Sequence, residues 1–299
     1  MSSLQLFFKS LIYEKKARKK VMLSRSKAGN AAIFIFLALL SMFMILPMVY
    51  SVVQSLKPID EIFAYPPKFY VRHPTADNFI QLFKLAGNLW IPFSRYLFNS
   101  VFVSVVGTGL YVIIASLAAY PLAKGKFRGS AVISQIIVLA MLFRPEVTSV
   151  PQYIVIAKLG IIDTYASMIL PCLAGTMGIY LIKQFMTTAI PDSTLEAARI
   201  DGAGEYRIFF KIVMPSVRPA IMTLIIFTFQ SMWNGTGTSY IFTESLKQLP
   251  SVLSSISAGG IARAGASAAV SVIMMIPPIA VFLYSQSSVM ETMTHSGLK

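Results

Sequence analysis

Residues 28–56 read AGNAAIFIFLALLSMFMILPMVYSVVQSL, twenty-nine consecutive residues without a charge, held between Lys27 and Lys57. A helix rising about 1.5 Å per residue needs about 20 apolar residues to cross the hydrocarbon core of a bilayer. This run is long enough with residues to spare. The signature recurs along the chain: 28 uncharged residues separate Arg95 from Lys124, 19 separate Asp163 from Lys183, 25 separate Arg218 from Glu244, and 27 separate Arg263 from Glu291. A sixth stretch is less regular. It runs 15 uncharged residues from Arg128 to Arg144, then resumes through Pro145 and Glu146 into Val147–Ala157. The expected fold is all-α, a polytopic membrane protein with six transmembrane helices.

Composition agrees. Of 299 residues, 56% are hydrophobic and only 13% charged, against about 25% charged in ordinary soluble domains. One cysteine and two histidines exclude a disulfide scaffold and make a His/Cys metal cluster untenable. The apolar content excludes disorder. The net charge of +14 follows the membrane topology and needs no nucleic acid as partner. If residues 1–29, the link between the second and third spans, the segment from Lys183 to Arg218 and the tail share one side, that side holds 17 basic residues against 8 on the other. The positive-inside rule then puts both termini in the cytoplasm, and an even span count agrees in placing them on one side.

These readings divide the chain into a basic cytoplasmic segment (1–29), a first transmembrane helix (30–56), an extracytoplasmic loop (57–95), a core of five further helices (96–288) and a cytoplasmic tail (289–299). In the first segment Leu4, Phe7, Phe8, Leu11 and Ile12 recur with helical spacing ahead of Lys15, Lys16, Arg18, Lys19 and Lys20. That pattern predicts a helix lying on the inner leaflet. It is no cleavable signal, because the apolar run that follows is too long for one. The outer loop carries Pro58, Pro66, Pro67 and Pro74 with Phe63, Tyr65, Phe69 and Tyr70, a composition compatible with an ordered loop or a plain connector.

One segment between spans does not read as a connector. Residues 190–215 are IPDSTLEAARIDGAGEYRIFFKIVMP. Ser193 and Glu196 have capping-box spacing, so a helix is expected to start near Ser193. Gly202 should end it in a left-handed turn. A second helix is expected from about Gly204 to Pro215. The two make a knob with apolar edges: Leu195 and Ala198 on one helix, Ile208, Phe209, Ile212 and Val213 on the other.

The run Glu196-Ala197-Ala198, three residues, Gly202, nine residues, Ile212, one residue, Met214-Pro215 resembles the EAA loop of binding-protein-dependent (type I) ABC importers. Met214 stands where leucine is usual. Asp201-Gly202-Ala203 is similar to the carbohydrate branch of that family, as are Asn99-Ser100, Trp233-Asn234 and Ile276-Pro277-Pro278. The likeness spans about residues 97–288 and is nearest to the six-span permease subunit of maltose-transporter type. Residues 291–299 depart from the glycine-rich charged tail common there. The resemblance implies the type I importer transmembrane fold, a bacterial inner-membrane location and a permease for a carbohydrate or oligosaccharide that performs no covalent chemistry and holds no cofactor. Its implied partners are a second homologous permease, two copies of a cytoplasmic ABC ATPase and an extracytoplasmic solute-binding protein. It further implies that residues 190–216 couple to the ATPase through Leu195, Glu196, Ala197, Ala198, Asp201, Gly202, Ala203, Phe209 and Pro215. On this reading Leu195 and Ala198, or Phe209, fill a socket on the ATPase. Glu196 caps the helix or pairs with a nearby base. The chain has no G-x-x-x-x-G-K-[ST] phosphate loop, so the energy source is another chain.

Ionisable residues at membrane depth mark function, which singles out Arg144 and Glu146. On a continuous helix Arg144 would lie beyond the midplane, toward the outside. The alternative is a break at Pro145 with the charges at the interface or paired together. Sugars stack on aromatic faces and bond planar polar groups. Gln152 and Tyr153, with Gln230, Trp233 and Asn234 on one face of the fifth span, complete the expected solute path. Trp233 reads equally as an interfacial anchor. Cys172 reads as packing, and neither His73 nor His295 as a ligand. A secondary transporter or channel without an ATPase is the alternative function. It would place ion relays in the spans and needs no knob.

Overall fold

The computed structural model describes residues 27–87, 91–125, 127–237, 239–260 and 263–296. The helix expected around Leu4–Ile12 and the last three residues of the tail lie outside them. All regular structure among the described residues is helical. The chain divides into two units, residues 1–50 and 51–299.

The first unit carries most of helix α1 (Lys27–Ser55). Its apolar side chains are exposed all round, Phe34 at 73% and Phe43 at 71%. A soluble protein would not present such a surface to water; a bilayer is the solvent that accepts it.

In the second unit, a short turn α2 (Ile59–Ile62) and helix α3 (Asp77–Gly87) precede the central helix α4 (Phe93–Lys124). The segment between α1 and α3 is ordered. The Glu61 carboxylate accepts the amides of Arg72 and His73, each at 3.0 Å, and buried Lys57 donates to the Lys68 carbonyl. The Asn78 amide spans the carbonyls of Ser55 (2.9 Å) and Lys57 (2.7 Å).

Helix α4 explains its own position. Asn99, Ser100, Val103, Ser104, Gly107, Thr108, Tyr111, Val112, Ala115, Ser116 and Ala119 are buried, while Phe98, Val105, Ile113 and Leu117 are exposed. Small residues recurring every turn on the buried side and large apolar ones outside are the pattern of packed membrane helices. Against α4 pack α7 (Tyr165–Leu173), α8 (Thr176–Ala189) and α11 (Arg218–Trp233); α11 in turn packs on α13 (Ala264–Ser296). Helix α12 (Leu249–Ser257) closes the Phe93 end of α4. There Asn99 donates to the carbonyls of Ser245 (2.9 Å) and Lys247 (2.8 Å) and accepts from Tyr165, fixing the 244–249 segment.

Breaks in the spans have identifiable partners. The α7–α8 break falls at Ala174 and Gly175. The Tyr111 hydroxyl donates to the Gly175 carbonyl (2.9 Å) and accepts the Gly178 amide (2.8 Å), satisfying backbone that lipid cannot. Pro278, inside α13, has no amide to offer the Met274 carbonyl one turn back; the Trp233 indole N–H takes that place at 2.9 Å.

Among the described residues four helical segments are long and apolar enough to cross a membrane: Ala28–Ser55, Phe93–Lys124, Tyr165–Ala189 and Ala264–Ser287. A fifth is counted if 205–216 and 218–233 are one bent span. The irregular stretch after Arg128 is two helices, α5 (Ser130–Ala140) and α6 (Pro145–Lys158). Arg144 ends the break and precedes α6, with extended backbone imposed by Pro145. A distance along one continuous helix therefore does not locate it.

Candidate functional site

The segment from Pro191 to Val217 folds as a helical elbow. Helix α9 (Asp192–Ile200) starts one residue before Ser193, with Pro191 rather than a serine side chain at its cap. The capping box is not formed. At its other end Gly202 has φ +79°. The Gly202 amide donates to the Arg199 carbonyl and the Ala203 amide to that of Ala198, both at 3.0 Å. This pair of bonds is a Schellman ending. A side chain at Gly202 would meet open space, so the demand for glycine is conformational, not steric.

The returning helix α10 (Glu205–Ser216) widens into one π turn over Phe209–Val213. The widened turn sits directly ahead of Pro215, where a regular turn would set the proline ring against the carbonyl four residues back. At Val217 the chain bends by 75° into α11.

The buried side of the elbow belongs to the chain's own core. Leu195 (2% exposed), Ala198, Ile208, Phe209 and Val213 join Tyr111, Ala115 and Ala119 of α4, Ile182 and Met186 of α8, and Leu224 of α11. The expectation that Leu195, Ala198 or Phe209 fill a socket on another chain does not match this placement. An apolar stripe says that a face is covered, not by whom. The outward apolar residues are Ile200 (87% exposed), Tyr206 (82%) and Phe210 (61%). Glu196, Ala197, Asp201 and Pro215 are also exposed, and Ala203 is half-buried.

The polar contacts differ from expectation too. Among the described residues Glu196 enters no ion pair; Asp192 and Glu205 take the bases. Lys124, nearly buried at the end of α4, donates to the Ile190 carbonyl (2.6 Å) and to Asp192 (2.8 Å). Glu205 accepts the Arg199 guanidinium at 2.8 Å and the Tyr120 hydroxyl at 2.7 Å. Those two donors, Arg199 first, hold the Glu205 carboxyl below its usual range. Sequence reading missed Tyr120 and Lys124. The available signal was two donors four residues apart, closing an apolar run.

The expected solute-path residues fall in separate places. Arg144 and Glu146 are exposed at the start of α6 and do not pair with each other. Gln152 lines a recess of about 700 Å³ between α6 and the α7–α8 break, with Thr148 and Thr176 among mostly apolar walls. The Tyr153 ring lies parallel to that of Tyr240, centroids 6.3 Å apart. Gln230 is exposed and lines a smaller recess with Pro278 and Phe282, and Asn234 is exposed at the end of α11. Trp233 is fully buried beside Phe229, committed to the Met274 carbonyl. It serves packing here, neither a solute nor the interface. Near this end Asp163, itself at φ +60°, accepts the amides of Phe242 and Thr243 at 2.9 Å and the Thr243 hydroxyl. These bonds, the Thr243 hydroxyl's first, hold its carboxyl below the usual range.

No family model matches the chain. Curated proteins do. The sn-glycerol-3-phosphate transport system permease protein UgpE of Yersinia enterocolitica is 32% identical over 204 residues, 67% of this chain and 72% of that protein. The arabinooligosaccharides transport system permease protein AraQ of Bacillus subtilis is 27% identical over 272 residues, 90% of this chain and 95% of that one. Among solved structures, a chain of a bacterial ABC transporter involved in the import of the acidic polysaccharide alginate is similar with a TM-score of 0.74 at 22% identity, covering 89% of this chain and 99% of that one. A chain of the alginate transporter in complex with an alginate pentasaccharide-bound periplasmic protein gives 0.56 at 12% identity, covering 86% and 93%.

Proposed function

Because this chain belongs to the permease subunits of ABC transport systems, inner-membrane chains that move solute and are not themselves enzymes, we propose that it forms half of the translocation path of an ATP-driven importer for a carbohydrate or oligosaccharide. The AraQ relative is the permease protein of an arabinooligosaccharides transport system, and the structural likeness is to a chain of a transporter involved in polysaccharide import. The proposed assembly adds a second, homologous permease, two cytoplasmic ABC ATPases and an extracytoplasmic solute-binding protein. The chain crosses the membrane six times, through α1, α4, α5 with α6, α7 with α8, α11 and α13, and both termini are cytoplasmic.

The observation that carries the proposal is the elbow itself. It is a short knob whose inner face packs against the ends of three spans and whose outer face offers Ile200, Tyr206 and Phe210 to water. Exposed aromatic and aliphatic anchors on a fixed support are what a tight protein contact uses. The knob is the ATPase-docking element. Glu196, Ala197, Asp201 and Gly202 border the contact, while Leu195, Ala198, Ala203, Phe209 and Pro215 keep its shape. At separate points along its path solute would meet Arg144, Glu146, Gln152, Tyr153, Gln230 and Asn234, with Trp233 buried as packing. Purification through a tag on this chain, co-expressed with its genomic neighbours, tests the docking. An ATPase should co-purify from native membranes and be lost on Ile200→Asp. Retention of the ATPase by that variant would overturn the docking assignment.

A further inference from the structure

The elbow is tied to one span at two points. Tyr120 and Lys124 lie one turn apart on α4, hence on the same face. Lys124 reaches the α8–α9 junction, and Tyr120 reaches the first residue of α10. Each charge sits where a helix terminus favours it. Lys124 meets the carbonyl at the C-terminal end of α8. Asp192 and Glu205 occupy the first turns of α9 and α10, and Arg199 the last turn of α9. Between the two ties the contact is apolar, with the Tyr120 and Phe209 rings 5.4 Å apart. Apolar contacts are not directional and permit sliding or rotation; hydrogen bonds at two separated points do not.

We propose that Tyr120 and Lys124 are positioning residues that fix the angle of the α9–α10 knob to α4, so that a push on the knob moves the central span rather than tilting the knob alone. One tie would leave rotation about it free; the second removes that freedom. Helix α4 is suited to receive the motion because α7, α8, α11 and α12 all pack against it. This inference rests on the knob being the ATPase-docking element, but its geometry is tested separately.

The test uses the assembled importer carrying spin labels at Thr194→Cys on the knob and Leu117→Cys on the lipid-facing side of α4, both exposed. Distances are measured without nucleotide and after trapping with ATP and vanadate. With the native ties a narrow distribution is expected in both states. Tyr120→Phe combined with Lys124→Met should broaden it about twofold, since the first removes one hydrogen bond to a charged acceptor and the second removes two from a charged donor, while the ATPase still co-purifies. Lys124→Arg with Tyr120 intact, which keeps a cationic donor, should leave the distribution narrow. Tyr120→Phe alone removes one oxygen and stands in if the double variant fails to assemble; it should broaden the distribution by a smaller amount. Unchanged widths in the variants would overturn the proposal. Loss of the docking reading would show elsewhere, as retention of the ATPase by Ile200→Asp.

Discussion

Replacing Trp233 by phenylalanine tests the assignment of its indole to the carbonyl freed by Pro278. The bond from Trp233 to Met274 is 2.9 Å and the side chain is fully buried. Removing the N–H leaves a buried acceptor unsatisfied, worth about 1–3 kcal/mol; polar contacts between membrane helices run lower, about 0.6–1.7 kcal/mol. The smaller ring leaves roughly 35 Å³ of void, or about 0.8 kcal/mol at about 24 cal/mol per Å³. Trp233→Phe should therefore cost about 1.4–2.5 kcal/mol in all, the sum of the membrane polar term and the void term. Pro278→Ala supplies the missing backbone amide to Met274 within α13, which makes the indole redundant. In the Pro278→Ala background, Trp233→Phe should retain only its void term. The double-mutant cycle, read from reversible unfolding in mixed micelles, should give a coupling of about 1–2 kcal/mol. The void contribution cancels in the cycle, so additivity within about 0.5 kcal/mol would mean that the indole does not serve the carbonyl freed by Pro278.

Three further outcomes follow from the same geometry. Tyr206→Ala should leave thermal stability within about 0.5 kcal/mol, as exposed substitutions do, yet cut ATPase co-purification at least about tenfold, a hot-spot loss; Leu195→Asp should instead destabilise the chain, because it buries a charge in its core. Gly202→Val should open the elbow to proteolysis between residues 200 and 204, since a left-handed backbone costs a residue with a side chain about 1–2 kcal/mol; an unchanged digestion pattern would count against the Schellman ending. The Asp163 clip has a carboxyl held below its ordinary value, so its stabilisation is complete above the ordinary range near about pH 4 and is lost only as pH falls through the lower folded value. Exchange of the Phe242 and Thr243 amides, corrected for intrinsic rate, should be flat from about pH 5 to 8 and rise on Asp163→Ala; a step within that window would contradict the sign.

The spans α1, α4 and α13 were legible because a bilayer demands one composition over a fixed length, and a run of uncharged residues reports it directly. The elbow was legible through Gly202, whose backbone few other residues adopt. Which face of the elbow turns inward was not. Leu195, Ala198 and Phe209 announce a buried edge, but only the fold decides that α4 and α8 bury it and leave Ile200 and Tyr206 outside. Trp233 was misjudged for a related reason: the Met274 carbonyl it serves is 41 residues away. The break at Arg144 was visible in Pro145, yet its depth cannot be read from spacing once the helix is two pieces. The tie from Tyr120 to Glu205 spans 85 residues, beyond any local pattern.

This chain is expected to conduct solute only when an ATPase works through the knob. Proteoliposomes holding this permease, its partner permease and the ATPase test it directly, with ATP hydrolysis followed as solute-loaded binding protein is added. Hydrolysis should be stimulated by the loaded binding protein, with oligosaccharide accumulating only in the presence of ATP, and both effects should be lost on Ile200→Asp. Solute movement without ATP, or undiminished stimulation in that variant, would contradict it.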